Sequence, residues 1–366
     1  MNIQVVRERF LETLQKGLAF SSSRLTDSKA LRAVLIEAED SGIMVSATNA
    51  SEYFQAEVGG KVVEKGGILV EYKVLIEVVK AIRTQKLNIA KERQQILISS
   101  DDGVVKIPSQ EPSTFPKRNI NSGDGEKEES GIFSEEILEK VVFCAATDDT
   151  RPTLTGVCFD FHSQGVNIVG TDGFRMSLVR LETNETVRKE GKIILPAKNI
   201  LSIAKILGKN TKVYLDDENK QCLFEGGGYF ITVKYIDGEF PPYEKVVPSS
   251  HKTSTQLRKE DLLSALKTVS LFSREGSGVV NVEFTKTETQ IFSNTSSSGE
   301  ARLHSKNKTF QGEEGKISLN GRFLMEYLNT VKEDLFYCET SGPNQPAVFK
   351  NGESDKYLHI IMPIRT

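Results

Sequence analysis

The chain has no cysteine pair, no histidine cluster, no long apolar run and no excess of positive charge. Its four cysteines, Cys144, Cys158, Cys222 and Cys338, lie far apart without a CxxC spacing. That excludes a disulfide framework or a zinc site of the usual spacing, and suits a reduced, cytoplasmic chain. His162, His251, His304 and His359 are equally scattered, so neither a metal nor a cofactor is expected. The longest apolar stretches, such as 193–197, fall far short of the ~20 residues of a membrane span, and the first eight residues lack the basic-then-apolar layout of a secretory signal. Lys and Arg number 47 against 50 Asp and Glu, for a net charge of −3. A uniformly basic nucleic-acid coat is therefore excluded, and any polyanion must be met by a local patch.

Catalytic signatures are missing too. There is no Gly-rich phosphate loop ending in Lys-Ser/Thr, no nucleophile elbow and no His-Glu-x-x-His, so no catalytic residue is assigned. The acidic pairs Asp101-Asp102, Asp148-Asp149 and Asp216-Asp217 could hold Mg²⁺ for nuclease chemistry. Each lies between strand or helix patterns and near Gly, Asn or Thr, which favours turns.

What the chain does have is length and repetition. At 366 residues, 38% hydrophobic and 27% charged, it is long enough for two or three globular domains with ample core. Three β-type runs each open on a glycine and lead into a helical pattern, at Gly66, Gly191 and Gly315. Their spacings are 125 (191 − 66) and 124 (315 − 191) residues. An apolar run ends in a polar pair at Thr48-Asn49, Thr171-Asp172 and Ser293-Asn294, with steps of 123 (171 − 48) and 122 (293 − 171). Helical patterns at 9–18, 134–146 and 259–271 precede these, each followed by an arginine: Arg24, Arg151 and Arg274. Three markers in one order at near-equal spacing indicate triplication, with a period too long for solenoid repeats. The expected domains are 1–122, 123–250 and 251–366. Each would run helix, strands, second helix, strands, giving an α+β fold with two helices packed on antiparallel sheets. The polar stretches 117–131 and 248–256 read as exposed connectors.

Aligned on the glycines, the second helices place Lys73, Lys198 and Arg322 at one equivalent position, near a helix start where the backbone dipole disfavours cations. Lys80 and Lys205 follow seven residues on, sharing a face with Lys73 and Lys198, while the third copy has Asn329. Any one of these lysines reads as solvated surface. Together, on equivalent domains of an acidic chain, they suggest a basic face for sequence-independent contact with a polyanion.

Those features, with Thr150-Arg151-Pro152-Thr153-Leu154-Thr155-Gly156-Val157, Thr171-Asp172-Gly173-Phe174-Arg175-Met176, Asp237-Gly238-Glu239-Phe240-Pro241-Pro242-Tyr243 and the ending Met362-Pro363-Ile364-Arg365-Thr366, resemble the bacterial sliding-clamp family, the beta subunit of DNA polymerase III. The resemblance spans the whole chain. It implies the DNA clamp fold, closed as a ring by a head-to-tail homodimer around duplex DNA. It also implies a non-catalytic processivity factor that tethers the DNA polymerase III alpha subunit and other polymerases and is opened by an ATP-driven clamp loader. The family's partner-peptide pocket maps here to Leu154, Thr171, Gly173, Phe174, Arg175, Met176, Pro241, Lys245, Val246, Ile360, Ile361, Met362, Pro363, Ile364 and Arg365. Arg175, Lys245 and Arg365 are expected to meet polar or acidic peptide groups. Without the resemblance, 360–364 would read as a closing edge strand and Phe174 as core. The DNA-facing set is Arg24, Lys73, Lys80, Lys198, Lys205 and Arg322. The dimer contact would join Val105 and Ile107 to Leu271 and Phe272, although Leu271 could equally be buried in its own domain. Phe174 stands where the family commonly has His, Lys245 where it often has Arg, and the first domain lacks the family's Pro-Ile-Leu after Arg24. A divergent or accessory clamp is therefore expected. A protein scaffold without a DNA role and a metal-dependent nuclease are the alternatives.

Overall fold

A computed structural model describes residues 1–24, 27–101, 103–116, 126–128, 130–182, 190–208, 211–273, 278–293, 299–352 and 354–365. It divides into two compact units, Met1–Ser134 with Ser202–Tyr235, and Glu135–Leu201 with Ile236–Thr366. The second repeat thus contributes to both. Arg274, Asn294, Asp102, Thr366 and most of the 117–131 connector lie outside the described residues. No described helix is long and apolar enough to cross a membrane.

Six α-helices occur among the described residues: α1 (Arg7–Gly17), α2 (Tyr72–Ala81), α3 (Glu135–Val142), α4 (Ala197–Leu207), α5 (Lys259–Ser273) and α6 (Gly321–Thr330). They are the six that the periodicity predicts, two per repeat. Each second helix follows a six-residue strand that starts on the marker glycine: Gly66–Glu71, Gly191–Pro196 and Gly315–Asn320. All strand pairings among the described residues are antiparallel, so the α+β layers stand as expected. In α1, Phe10, Leu14 and Gly17 fall on one buried stripe. Gly17 permits a close approach, since a Cβ there would lie 2.2 Å from Tyr72 Oη and 2.7 Å from the Phe54 ring.

Strand pairing unites the repeats within each unit. In the first unit, Tyr229–Lys234 pairs with Glu52–Val58, making a thirteen-stranded sheet. In the second, Arg175–Glu182 pairs with Tyr357–Ile361, making a nine-stranded sheet beside a separate four-stranded one.

Three expectations need correction. A strand precedes the first helix of each repeat, at Asn2–Val6, Glu126–Glu128 and Thr253–Arg258, so 248–256 is connector only in its first half. Thr253, Ser254 and Thr255 are buried; Thr253 Oγ1 donates to Glu313 O (2.6 Å) and Thr255 Oγ1 to Thr309 O (3.0 Å). Hydroxyls satisfied in this way let a polar-looking run lie inside a sheet. Helix α3 is shorter than its periodicity, because the Phe143 carbonyl accepts from Arg175 Nη2 (2.8 Å) and the chain tightens into a turn. The 360–364 segment is no edge: Tyr357–Ile361 lies between two strands of the nine-stranded sheet.

The polar-pair marker is one turn built twice. Thr48 Oγ1 donates to Glu52 O and Thr171 Oγ1 to Arg175 O, both 2.6 Å. Asn49 Oδ1 accepts from the N–H groups of Ser51 and Glu52, and Asp172 Oδ1 from those of Phe174 and Arg175. The residue after each pair has positive φ: Gly173 at +90° and Ala50 at +77°. Glycine adopts this region freely and alanine does so with strain. Ala50→Gly should therefore stabilise the first unit by up to about 1 kcal/mol in denaturant unfolding, the strain relief exceeding the entropy added to the unfolded chain.

Candidate functional site

In the second unit, Leu154, Met176 and Ile360 belong to one buried cluster with Val169, Phe240 and Tyr243. Pairing of Arg175 with Ile361 and of Met176 with Ile360 fixes the register. Around this floor stand three exposed apolar side chains: Phe174 (62% exposed), Met362 (38%) and Val246 (36%). The Met362 N–H donates to Phe174 O (2.9 Å), so two of them are tied by their backbones. Phe174 is therefore not core, as a purely structural reading would have it. The tail is held further on, where the Ile364 N–H donates to Ser318 O (2.8 Å); Pro363 and Ile364 are half-buried and Arg365 is exposed. Thr171 is buried in the turn and Ile361 is fully buried.

The short 3₁₀ segment Tyr243–Val246 carries Lys245 and Val246, with Pro241 exposed just before it. Tyr243 pins this lip: its hydroxyl donates to Asp160 Oδ2 (2.7 Å) and accepts from Asn167 Nδ2 (3.0 Å). Lys192 completes the anchor at 3.1 Å from Asp160 and 3.2 Å from Glu244. Burial, and then the bond to Asp160, push the Tyr243 phenol up and keep it protonated as a donor.

Arg175 is not available to a ligand. It is only 7% exposed; Nε meets Asp172 Oδ2 (3.1 Å), Nη1 meets Glu326 Oε2, and Nη2 meets Phe143 O (2.8 Å). Its plane also covers the Phe323 ring at 4.4 Å. A buried guanidinium needs such partners, so this residue builds the site while Lys245 and Arg365 supply its accessible cations. Below it, His359 is fully buried, with Nδ1 2.8 Å from Ser177 Oγ and Nε2 unpartnered.

The helix-start cations occupy the positions expected. Lys73, Lys198 and Arg322 are each the second residue of α2, α4 and α6, and all are exposed, as are Arg24, Lys80 and Lys205. Arg322 is 3.6 Å from Glu326 Oε1. The outer face of α2 is not purely basic, because Val74, Val78 and Ala81 line a groove beside Lys73 and Glu77. Sequence reasoning missed this strip, although its i, i+4, i+7 spacing was readable.

Two further surfaces carry free strand edges among the described residues. The strand Gly103–Gln110 pairs along its length with Gln95–Ser100, but on its other side only Ser109 and Gln110 pair. Arg302–Lys306 pairs with Glu288–Phe292 alone. Ile107 is buried in its own unit, opposite Ile96, so it is not the exposed contact expected of it. Val105 is half-buried, and Val104, its neighbour in the pleat, is 59% exposed. Leu271, also 59% exposed, projects from the end of α5 with Phe272 half-buried beside it. Two of the acidic pairs behave as turns: Asp148 accepts from Thr150 N (3.1 Å) and Asp216 from Asn219 N (3.0 Å). Among the described residues no group of three or more His, Cys, Asp or Glu is arranged to hold a metal.

Family models for the DNA polymerase III beta subunit match along the chain: the N-terminal domain at 1–120, the central domain at 132–242 and the C-terminal domain at 244–365. The chain is 25% identical over 382 residues to the beta sliding clamp of Halalkalibacterium halodurans, all of both chains being covered. It is 25% identical over 362 residues to that of Chlamydia pneumoniae, covering 99% of this chain and 98% of the relative. The crystal structure of the Bacillus subtilis DNA polymerase sliding clamp superimposes with a TM-score of 0.92 at 21% identity, covering 100% of this chain and 99% of the other. That of the Thermotoga maritima DNA polymerase III beta subunit does so with 0.90 at 22%, with the same coverage.

His359 gives the second unit a pH dependence. Burial, and then the charge of Arg175, hold its pKa well below the ordinary 6.5. The unfolded chain therefore binds a proton that the folded chain refuses, and stability falls as pH drops below about 6.5, by at most about 1.4 kcal/mol per pH unit from this group. Urea unfolding between pH 7.5 and 5.5 should show that loss, and His359→Phe should flatten it.

Proposed function

The chain belongs to the DNA polymerase III beta subunit family and acts as a DNA sliding clamp without catalysis of its own; from that premise we propose that two copies close head to tail into a ring around duplex DNA. The three copies of the plan, 1–122, 123–250 and 251–366, would then supply six domains to the ring. In each interface the free edge of Gly103–Gln110, with Val104 and the Val74 strip, would receive the Arg302–Lys306 edge and Leu271 of the second copy, two different patches meeting as a closed cyclic pair requires.

Inside the ring, Arg24, Lys73, Lys80, Lys198, Lys205 and Arg322 would meet phosphates without reading bases. The tether is topological, and its benefit is effective concentration: a polymerase bound to a threaded ring stays near its primer while the ring slides. The cleft of Phe174, Val246 and Met362 would take the short apolar motifs of the DNA polymerase III alpha subunit, of other polymerases and of the clamp loader, with Lys245 and Arg365 facing acidic flanks. With such partners the protein would work in the cytoplasm, beside the DNA it encircles. With Phe174 in place of the family's usual His, we read it as a divergent or accessory member. The observation that carries the cleft is the clustering of Phe174 and Met362, exposed and tied to each other, over a fully buried apolar floor.

Loaded protein should remain on a nicked circular duplex and leave once the circle is linearised; retention on the linear form would refute topological tethering. Lys73→Glu combined with Lys198→Glu should cut retention about tenfold at low salt without lowering the melting temperature. Leu271→Asp should halve the molar mass in solution by light scattering, and an unchanged mass would remove that residue from the interface.

A further inference from the structure

The cleft floor lies on one face of the nine-stranded sheet, yet the turn that shapes it is fastened from the other. Side chains alternate along the strand Arg175–Glu182: Met176 joins the cleft floor, whereas Arg175 turns to α3 and α6, where it meets Phe143 O and Glu326. We propose that Glu326 is a positioning residue of the partner cleft, holding Phe174 and Met362 in place through Arg175 and Asp172. The inference rests on the cleft being the partner site.

The path is short and each step is a bond. Glu326 fixes one end of the Arg175 guanidinium and Asp172 Oδ2 fixes its Nε. The other oxygen of Asp172 accepts the N–H groups of Phe174 (2.9 Å) and Arg175 (3.0 Å), which sets the turn. Phe174 O then accepts the N–H of Met362 (2.9 Å). Arg151 Nη2 closes the turn from outside by donating to Asp172 O (2.8 Å), across the positive-φ Gly173. With Glu326 neutralised, the buried guanidinium keeps one carboxylate where it had two. Asp172 is the nearest charge left to it, and any movement of that carboxylate toward Nη1 draws on the two backbone bonds that form the turn. A buried cation tolerates loss of a charged partner poorly, so the remaining carboxylate is drawn toward it at the expense of the turn.

The test is fluorescence anisotropy with full-length protein and a labelled peptide from the alpha subunit of the host's DNA polymerase III. Glu326→Gln should raise the peptide's Kd about tenfold, Glu326→Asp should restore it to within about threefold of the parent, and the two variants should melt alike. Phe174→Ala is the control for the cleft itself. If Phe174→Ala loses binding while Glu326→Gln binds like the parent, the positioning role is refuted and the cleft stands. If Phe174→Ala also binds like the parent, the cleft assignment falls and takes this inference with it. Equal weakening by Gln and Asp, accompanied by a common drop in melting temperature, would reduce Glu326 to a stabilising residue and overturn the proposal.

Discussion

A single buried guanidinium organises the second unit. Arg175 is the last residue of the turn and the first of the strand Arg175–Glu182, which pairs with Tyr357–Ile361 of the third repeat. Removing that charge from water is costly, and three oxygens offset the cost: Asp172 from the turn, the Phe143 carbonyl beyond α3, and Glu326 from α6. These groups come from two different repeats. Arg175 can be satisfied only when the turn, the frayed end of α3 and α6 are all in place, so one ion ties the junction of repeats to the geometry of the cleft. Hydrophobic contacts in the cluster around Met176 and Ile360 contribute area, which tolerates small shifts. The guanidinium, with its planar fork, does not.

The same turn shows how copies of one plan come to present different surfaces. In the first repeat the threonine, the side-chain acceptor, the positive φ and the strand pairing are all kept. But Ser51 stands where the second repeat has Phe174, and Glu52 where it has Arg175. Glu52 is buried and accepts from Asn49 Nδ2 (2.7 Å). Over this turn Tyr53 and Phe115 pack edge to face, with centroids 6.1 Å apart. The scaffold is repeated; the exposed aromatic is not.

Much of this was legible without coordinates because the strongest signals are local and were repeated. Strand-glycine to helix transitions, the Thr-Asx turn and the second-position cations recur at fixed spacing, and repetition separates a rule from an accident. The unread parts fail for physical reasons. Residues 253–256 look like linker, since threonine and serine carry hydroxyls, yet in a ladder the hydroxyls of Thr253 and Thr255 find carbonyl acceptors and these residues are buried. Ile107 and Val104 are indistinguishable by hydropathy; only the pleat, fixed by the pairing of Ile96 with Ile107, sends one inward and the other out. Arg175 looks like a surface hand for acidic groups because its carboxylate partner on α6 is 151 residues away, beyond any local pattern.

The helix-start cations bear on how a polyanion is held. A positive charge in the first helical turn opposes the backbone dipole by roughly 0.3–1 kcal/mol. In α6 that cost is reduced, because Glu326 lies one turn on from Arg322 and 3.6 Å from its Nε. In α2 and α4 it is not: Lys73 and Lys198 are exposed and make no ion pair among the described residues, even though Glu77 lies one turn beyond Lys73. Two of the three helices therefore carry their cation at the expense of local stability. On the proposed DNA face, a phosphate arriving at such a position would neutralise the lysine and also meet the positive end of the helix, so the strain of the free protein would be released on contact. The gain at each site would be small and independent of base sequence, which suits a surface proposed to hold a duplex and still slide along it.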